Sequence, residues 1–167
     1  MIQIIVHEKW NNSAIESIHD IALFKLEKPI DFSVDKHLVP VCLANQTTNV
    51  DNMICSTSGW GVTKFGGSAP DILQTIDLKI TPNKECAEDY KDFEVHVTPR
   101  MICAGGQEEG KGACSGDSGG PLMCKLDNQW VQVGITSWSS GCGHINYPSV
   151  YARVGEYVDW IKTHIAE

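Results

Sequence analysis

Basic charge, long apolar runs and closely paired cysteines are all scarce in this sequence, and each scarcity removes a class of function. Thirteen Lys and Arg stand against twenty-one Asp and Glu, a formal net charge of −8. A phosphate backbone is held by a basic surface, so nucleic acid is excluded as a partner. The longest apolar run near the start is Ile4-Ile5-Val6. That is far short of the roughly 20 residues of a membrane span, or the about 7–15 of a signal-peptide core. No membrane partner is expected. The cysteines lie at 42, 55, 86, 103, 114, 124 and 142. No two have the C-x₂₋₄-C spacing of a zinc or redox centre, so no metal site is expected.

What is present is ordinary for a folded chain: 42% apolar and 20% charged residues. The length suits one good-sized domain or two small packed halves. Seven scattered cysteines read as disulfides, hence an oxidising, extracellular setting. The odd count leaves one sulfur over. Two N-x-[ST] triplets, at Asn11 and Asn45, suit a secreted chain, though such triplets also arise by chance.

Along the chain, "QIIVHEKW" and "DIALFKLEKPI" alternate in part and read as strands. Residues 43–53, "LANQTTNVDNM", are polar and read as a linker. Short strand-like runs follow: "ICSTSGWGV", "LQTIDLKI", "MICAGG", "PLMCKL", "WVQVGITSW" and "SVYARV". Their close spacing points to an all-β barrel or sandwich. Two helices interrupt it. "TPNKECAEDY" (81–90) opens with Thr and Pro. "VGEYVDWIKTHIAE" spaces Val154, Tyr157, Val158, Ile161 and Ile165 for one helical face. "GGQEEGKG" (105–112) imitates a phosphate loop, but Gly112 replaces the metal-binding hydroxyl and two glutamates would repel phosphate. It reads as a surface loop.

The stretch "ACSGDSGGPL" (113–122) sets Ser118 between Asp117 and two glycines. Taken alone it also suits a simple turn. A serine nucleophile needs a neighbouring base, so the rest of the chain must be searched for one. "DIALFKL" puts Asp20 at the head of an apolar segment, and "SWSSGC" ends a strand at Ser137, Trp138 and Ser139.

"GDSGGP", "DIALFKL", "SGWG", "MICAG", "SWSSGC" and "PSVYARVGEYVDWI" stand in the order found in trypsin/chymotrypsin-like serine proteases, which the chain resembles from about residue 2 to 165. The resemblance implies an all-β, chymotrypsin-like fold with antiparallel barrels. Residues 1–42 would be a remnant of the N-terminal barrel and 43–54 the inter-barrel linker. Residues 55–155 would form a complete C-terminal barrel and 156–167 a terminal helix. It implies a serine endopeptidase working through an acyl-enzyme, with no cofactor. Protein or peptide substrates and protein protease inhibitors would be the partners.

By that resemblance Ser118 is the nucleophile and Asp20 the carboxylate that orients the base. The N–H groups of Gly116 and Ser118 form the oxyanion hole. Asp117 is the zymogen-activation carboxylate. Ser137, Trp138 and Ser139 edge the substrate cleft, pairing with an extended peptide. Gly112, Ser139 and Ser149 shape the S1 pocket. The disulfides would be Cys55–Cys124, Cys86–Cys103 and Cys114–Cys142, with Cys42 unpaired. Gly112 stands where trypsin-like members carry an aspartate. A buried substrate cation there would go unpaired at a cost of several kcal/mol, so uncharged P1 residues are expected.

The family takes its base from a "T-A-A-H-C" segment, and none of the histidines at 7, 19, 37, 96, 144 and 164 lies in that context. His19 adjoins Asp20, but strand neighbours face opposite ways, which would place His19 at the surface. No "I-V-G-G" start is present either. The expectation is a fragment of a secreted protease, inactive by itself, that lacks roughly the first third of the domain. The competing reading is a non-catalytic protease homologue acting as a binding module. Ser118, Asp20, Asp117 and Gly116 are all kept, which a binding module would not need.

Overall fold

The structure, a computed structural model, describes residues 3–11 and 18–165. Its strands are β1 (Gln3–Val6), β2 (Ala22–Lys25), β3 (Cys42–Leu43), β4 (Ile54–Gly59), β5 (Gln74–Thr81), β6 (Met101–Ala104), β7 (Pro121–Leu126), β8 (Gln129–Trp138) and β9 (Ser149–Arg153). Helix α1 (Asn83–Asp89) follows β5, and α2 (Val158–Ile165) follows β9 through a 3-10 turn at Val154–Glu156.

Six strands close into an antiparallel barrel in the order β4-β5-β6-β9-β8-β7, with β7 returning to β4. Closure removes the unpaired edges that an open sheet would expose. Local chemistry places the turns. Asp127 and Asn128 both take positive φ (46° and 64°), the geometry of the two-residue hairpin that joins β7 to β8.

The barrel core gathers Cys55, Leu78, Ile80, Ile102, Leu122, Cys124, Val133 and Tyr151. β4 alternates as a half-buried strand should, with Cys55 and Thr57 inward. β6 does not alternate: all four residues are buried. Ile102 and Ala104 face the barrel core. Met101 and Cys103 face a second cluster with Cys86, Tyr90 and Val150, so α1 covers the strand's outer side.

Disulfides fix these layers. Cys55–Cys124 joins β4 to β7, Cys86–Cys103 joins α1 to β6, and Cys114–Cys142 joins two loops. They are the pairs the resemblance implies. Cys42 is free and exposed.

β1 and β2 form a separate two-stranded sheet. It meets the barrel through Ile21 and Leu23, which pack with Ile135, Ala152, Tyr157 and Ile161. Its other face leaves Ile4, Val6 and Phe24 exposed, and Phe32, Val34, Leu38 and Val39 are exposed in the following segment.

Four expectations need adjustment. His19 lies outside any strand and at positive φ (62°), so strand alternation does not apply to it. It stacks on buried His7 at 4.5 Å and meets Tyr157 edge-on, rather than standing at the surface. The terminal helix begins at Val158, because Tyr157 is drawn into the core by the preceding 3-10 turn. Residues 166 and 167, expected in that helix, lie outside the described residues, as do Asn12 and Ser13 of the first N-x-[ST] triplet. The linker segment is not merely a polar loop. Cys42 and Leu43 pair in parallel with Val131 and Gln132 of β8, and Ala44 and Val50 are buried. Pro82 caps α1 from outside at φ −53° and ψ 140°, and the helix starts one residue later. The 105–112 loop leads into no helix, as a surface loop should.

Candidate active site

Ser118 sits in a tight loop ahead of β7. Asp117 N–H donates to Cys114 O (3.0 Å) and Gly120 N–H donates to Asp117 O (2.8 Å). Gly119 N–H reaches Thr136 O (2.9 Å) and Thr136 N–H reaches Gly120 O (2.9 Å), so the loop is tied to β8 immediately after the serine. Gly116 holds φ +100°, a conformation that side chains resist, which explains glycine there. The N–H groups of Gly116 and Ser118, and the Ser118 hydroxyl, make no hydrogen bond among the described residues. Ser118 and Gly116 are exposed.

Asp117 points the other way. Its Oδ1 accepts from Gly61 N–H (2.9 Å) and its Oδ2 from Cys114 N–H (3.0 Å). A side chain on Gly59 or on Gly61 would collide with this carboxylate. These two glycines were visible only as part of "SGWG". The missing signal was spatial, since 56 residues separate Gly61 from Asp117.

Ser137 gains its orientation from an irregularity. The β8–β9 register runs Thr136↔Tyr151 and then Trp138↔Val150, so Ser137 drops out of the ladder. Bulges of this kind re-aim a side chain. Its hydroxyl donates to Asp20 Oδ2 at 2.7 Å across 117 residues of sequence. Asp20 and Ser118 line one cavity of about 630 Å³, together with Ser137, Thr136 and apolar Ile21, Leu23 and Ile135. A neighbouring cavity of about 260 Å³ is lined by Ser118, Ser137, Trp138, Ser139 and Cys142. Thr136 and Phe65 also line this second cavity, and the sequence reading did not single them out.

The expected pocket residues divide. Gly112 lines a different cavity of about 110 Å³, shared with Asp117, Gly59 and Gly61. A Cβ on Gly112 would lie 2.7 Å from Gly143 Cα and 3.1 Å from Ser149 Oγ. Ser149 is buried and accepts a hydrogen bond from Ala113 N–H (3.1 Å). Ser139 Oγ donates to Gly141 O (2.6 Å). Beneath these loops Tyr90 OH donates to Pro148 O (2.8 Å) and accepts from Ser140 N–H (3.3 Å). Burial pushes its phenol up to about 12, so it stays protonated at neutral pH. Trp138 packs edge-on against the same ring at 5.0 Å.

No described histidine hydrogen-bonds Asp20 or Ser118. His7 accepts from Lys9 N–H, while the Nδ1 atoms of His144 and His164 meet the carbonyls of Ile145 and Trp160. His19 Nδ1 is buried without a partner.

A closed antiparallel barrel, an exposed serine on a glycine-framed turn and a strand edge beside it define a chymotrypsin-like protease domain. The chain belongs to the trypsin family of serine proteases: a family model described as Trypsin matches residues 1–161. It is 42% identical to coagulation factor XI of Bos taurus over 160 residues, 95% of this chain and 25% of that protein. The chain thus spans about a quarter of the length of that curated relative.

Proposed function

We propose that the chain carries the nucleophile and the orienting carboxylate of a secreted serine endopeptidase, with Ser118 and Asp20 in those roles. The 2.7 Å Ser137–Asp20 bond, beside a cavity that Asp20 shares with Ser118, is the observation that carries this reading. The general base comes from outside these 167 residues, since no histidine among the described residues meets either group. That base would take the Ser118 proton as Oγ attacks the scissile carbonyl. The free N–H groups of Gly116 and Ser118 would receive the oxyanion, and water would then release the acyl group. Asp117 receives a new N-terminal ammonium on zymogen cleavage. Ser137 to Ser139 hold an extended substrate strand, and inhibitor proteins compete for the same edge. The three disulfides favour extracellular work. In domain terms, residues 1–42 are the remnant of an N-terminal barrel, 43–54 the linker and 55–155 the C-terminal barrel, followed by the terminal helix that starts at Val158.

The S1 pocket of this enzyme takes uncharged P1 residues such as Leu, Met, Val or Ala, with Phe and Tyr also accepted. Gly112 offers no carboxylate, and Gly143 and Ser149 crowd the space one would need.

The test is a P1 scan of chromogenic peptides, with the 167-residue chain and with the same chain extended by the residues encoded upstream of it. The short chain should stay at background. The extended protein should cleave uncharged P1 substrates and lose that activity in Ser118→Ala. An extended protein without turnover would instead make this a non-catalytic homologue, acting as a binding module. A higher kcat/KM for Arg or Lys than for every uncharged P1 refutes the pocket reading.

A further inference from the structure

We infer that Asn45 is an N-glycosylation site, a role that no part of the proteolytic reading uses. Asn45-Gln46-Thr47 lies in the exposed turn between β3 and β4. Asn45 Oδ1 accepts hydrogen bonds from Thr47 N–H (2.9 Å), Thr47 Oγ1 (2.8 Å) and Thr48 Oγ1 (3.0 Å). Asn45 N–H donates to Thr48 Oγ1 (3.0 Å), and Thr48 N–H donates to Asn45 O (3.1 Å). Every one of these bonds closes within four residues, so the turn needs no barrel around it and can form while the chain is still emerging.

The arrangement suits the chemistry of the acceptor triplet. Hydroxyl donors on Oδ1 withdraw electron density from the amide and make Nδ2–H more acidic. Nδ2 itself makes no hydrogen bond among the described residues and stands in an exposed side chain. In the transfer step a bond forms between Nδ2 and C1 of the first sugar. The bond from C1 to the diphosphate of a lipid-linked oligosaccharide breaks, the lipid diphosphate leaves with that electron pair, and one Nδ2 proton passes to a base of the transferase.

The site is placed where a glycan does no harm to the cleft. Ala44 N–H donates to Gln132 O, which docks the turn beside the early part of β8. Ser137 lies five residues further along that strand, roughly 17 Å away at about 3.3 Å per residue. Gln46 Nε2 donates to Asp159 Oδ2 (3.3 Å), so the turn faces the start of α2. A glycan there adds a solvated mass on the flank of the barrel and leaves the Ser118 side open.

The inference rests on the extracellular reading, and one experiment separates the two. The chain is secreted from a eukaryotic cell line and mapped without reduction. It is then digested and treated with peptide N-glycosidase in heavy-oxygen water, so that a glycosylated Asn45 returns as labelled Asp. The expected result is three formed disulfides and label at position 45, lost in Thr47→Ala and in Asn45→Gln and retained in Thr47→Ser. Absence of label in a chain whose disulfides are formed overturns the glycan site alone, as does label that persists in Thr47→Ala. A chain held back with its cysteines reduced overturns the extracellular reading beneath it.

Discussion

Ser137 donates a 2.7 Å hydrogen bond to Asp20, linking the separate β1–β2 sheet region to the longest strand of the barrel. Both side chains are half-buried, so neither is fully repaid by water if the bond is lost. Ser137→Ala should therefore lower unfolding free energy by about 1–3 kcal/mol. Urea titration reads this directly, and an unchanged midpoint would show that the bond is not held in solution.

Gly61→Ala should do damage of a different kind. The added methyl meets the Asp117 carboxylate, which is itself held by Gly61 N–H and Cys114 N–H. Overpacking of a tight site costs about 1–3 kcal/mol, and here it also displaces the carboxylate. The expected readout is a lower thermal midpoint, together with chemical-shift changes at Cys114 and Gly116. The paired variant Val62→Ala, one residue on and half-buried, should leave those two amides unmoved.

Thiol chemistry offers a count. Cys42 is exposed and unpaired, while the other six cysteines are bridged. A maleimide should add once per native chain, at Cys42. Removing Cys86–Cys103, which closes 17 positions of sequence, should cost about 3 kcal/mol on the loop-entropy account.

Acid should loosen the seam between β1 and α2. His7 and His19 are stacked at 4.5 Å, and His7 also stacks on Trp160 at 5.0 Å. Burial holds both imidazoles below the ordinary histidine value of 6.5. Arg100 and Lys9 push both the same way, and Glu8 opposes. The two rings repel one another when charged, and His164 adds to the repulsion at His7. The unfolded chain therefore binds more protons than the folded one as pH falls below 6.5. Stability is at its full value above that point, falls through the window between 6.5 and the lowered folded values, and levels off beneath them. Denaturant midpoints across this range should fall with pH, and His19→Gln should flatten part of the slope. A midpoint that rises on acidification through this window sinks the assignment.

The strands of the barrel were legible because their chemistry is local. Alternation in β4 and the Asp-Asn turn between β7 and β8 are written in adjacent residues. Ser118 and Asp20 sit in long motifs, and the structure brings both to one cavity. What escaped depended on partners distant in sequence. Gly59 and Gly61 matter because of Asp117, more than fifty residues away. Strand alternation does not govern His19, which sits at positive φ before the strand begins. The parallel pairing of Cys42 and Leu43 with β8 gives no sequence signal at all in a segment of only two residues.

The three disulfides all begin at or beyond Cys55. Pulled by its two ends, the molecule would thus part in a fixed sequence. No disulfide ties the described residues before Cys55 to the rest; the brief β3 contact, side-chain packing and hydrogen bonds such as Ser137–Asp20 hold them, so they would peel away as slack at low load. From Cys55 onward the covalent staples cap the extension: the 69 positions between Cys55 and Cys124 cannot lengthen until a sulfur–sulfur bond is cut. Reductant added under tension would then release that length in steps, because Cys86–Cys103 lies inside it and Cys114–Cys142 overlaps its end, and the molecule would behave as a weak spring joined in series to a locked one.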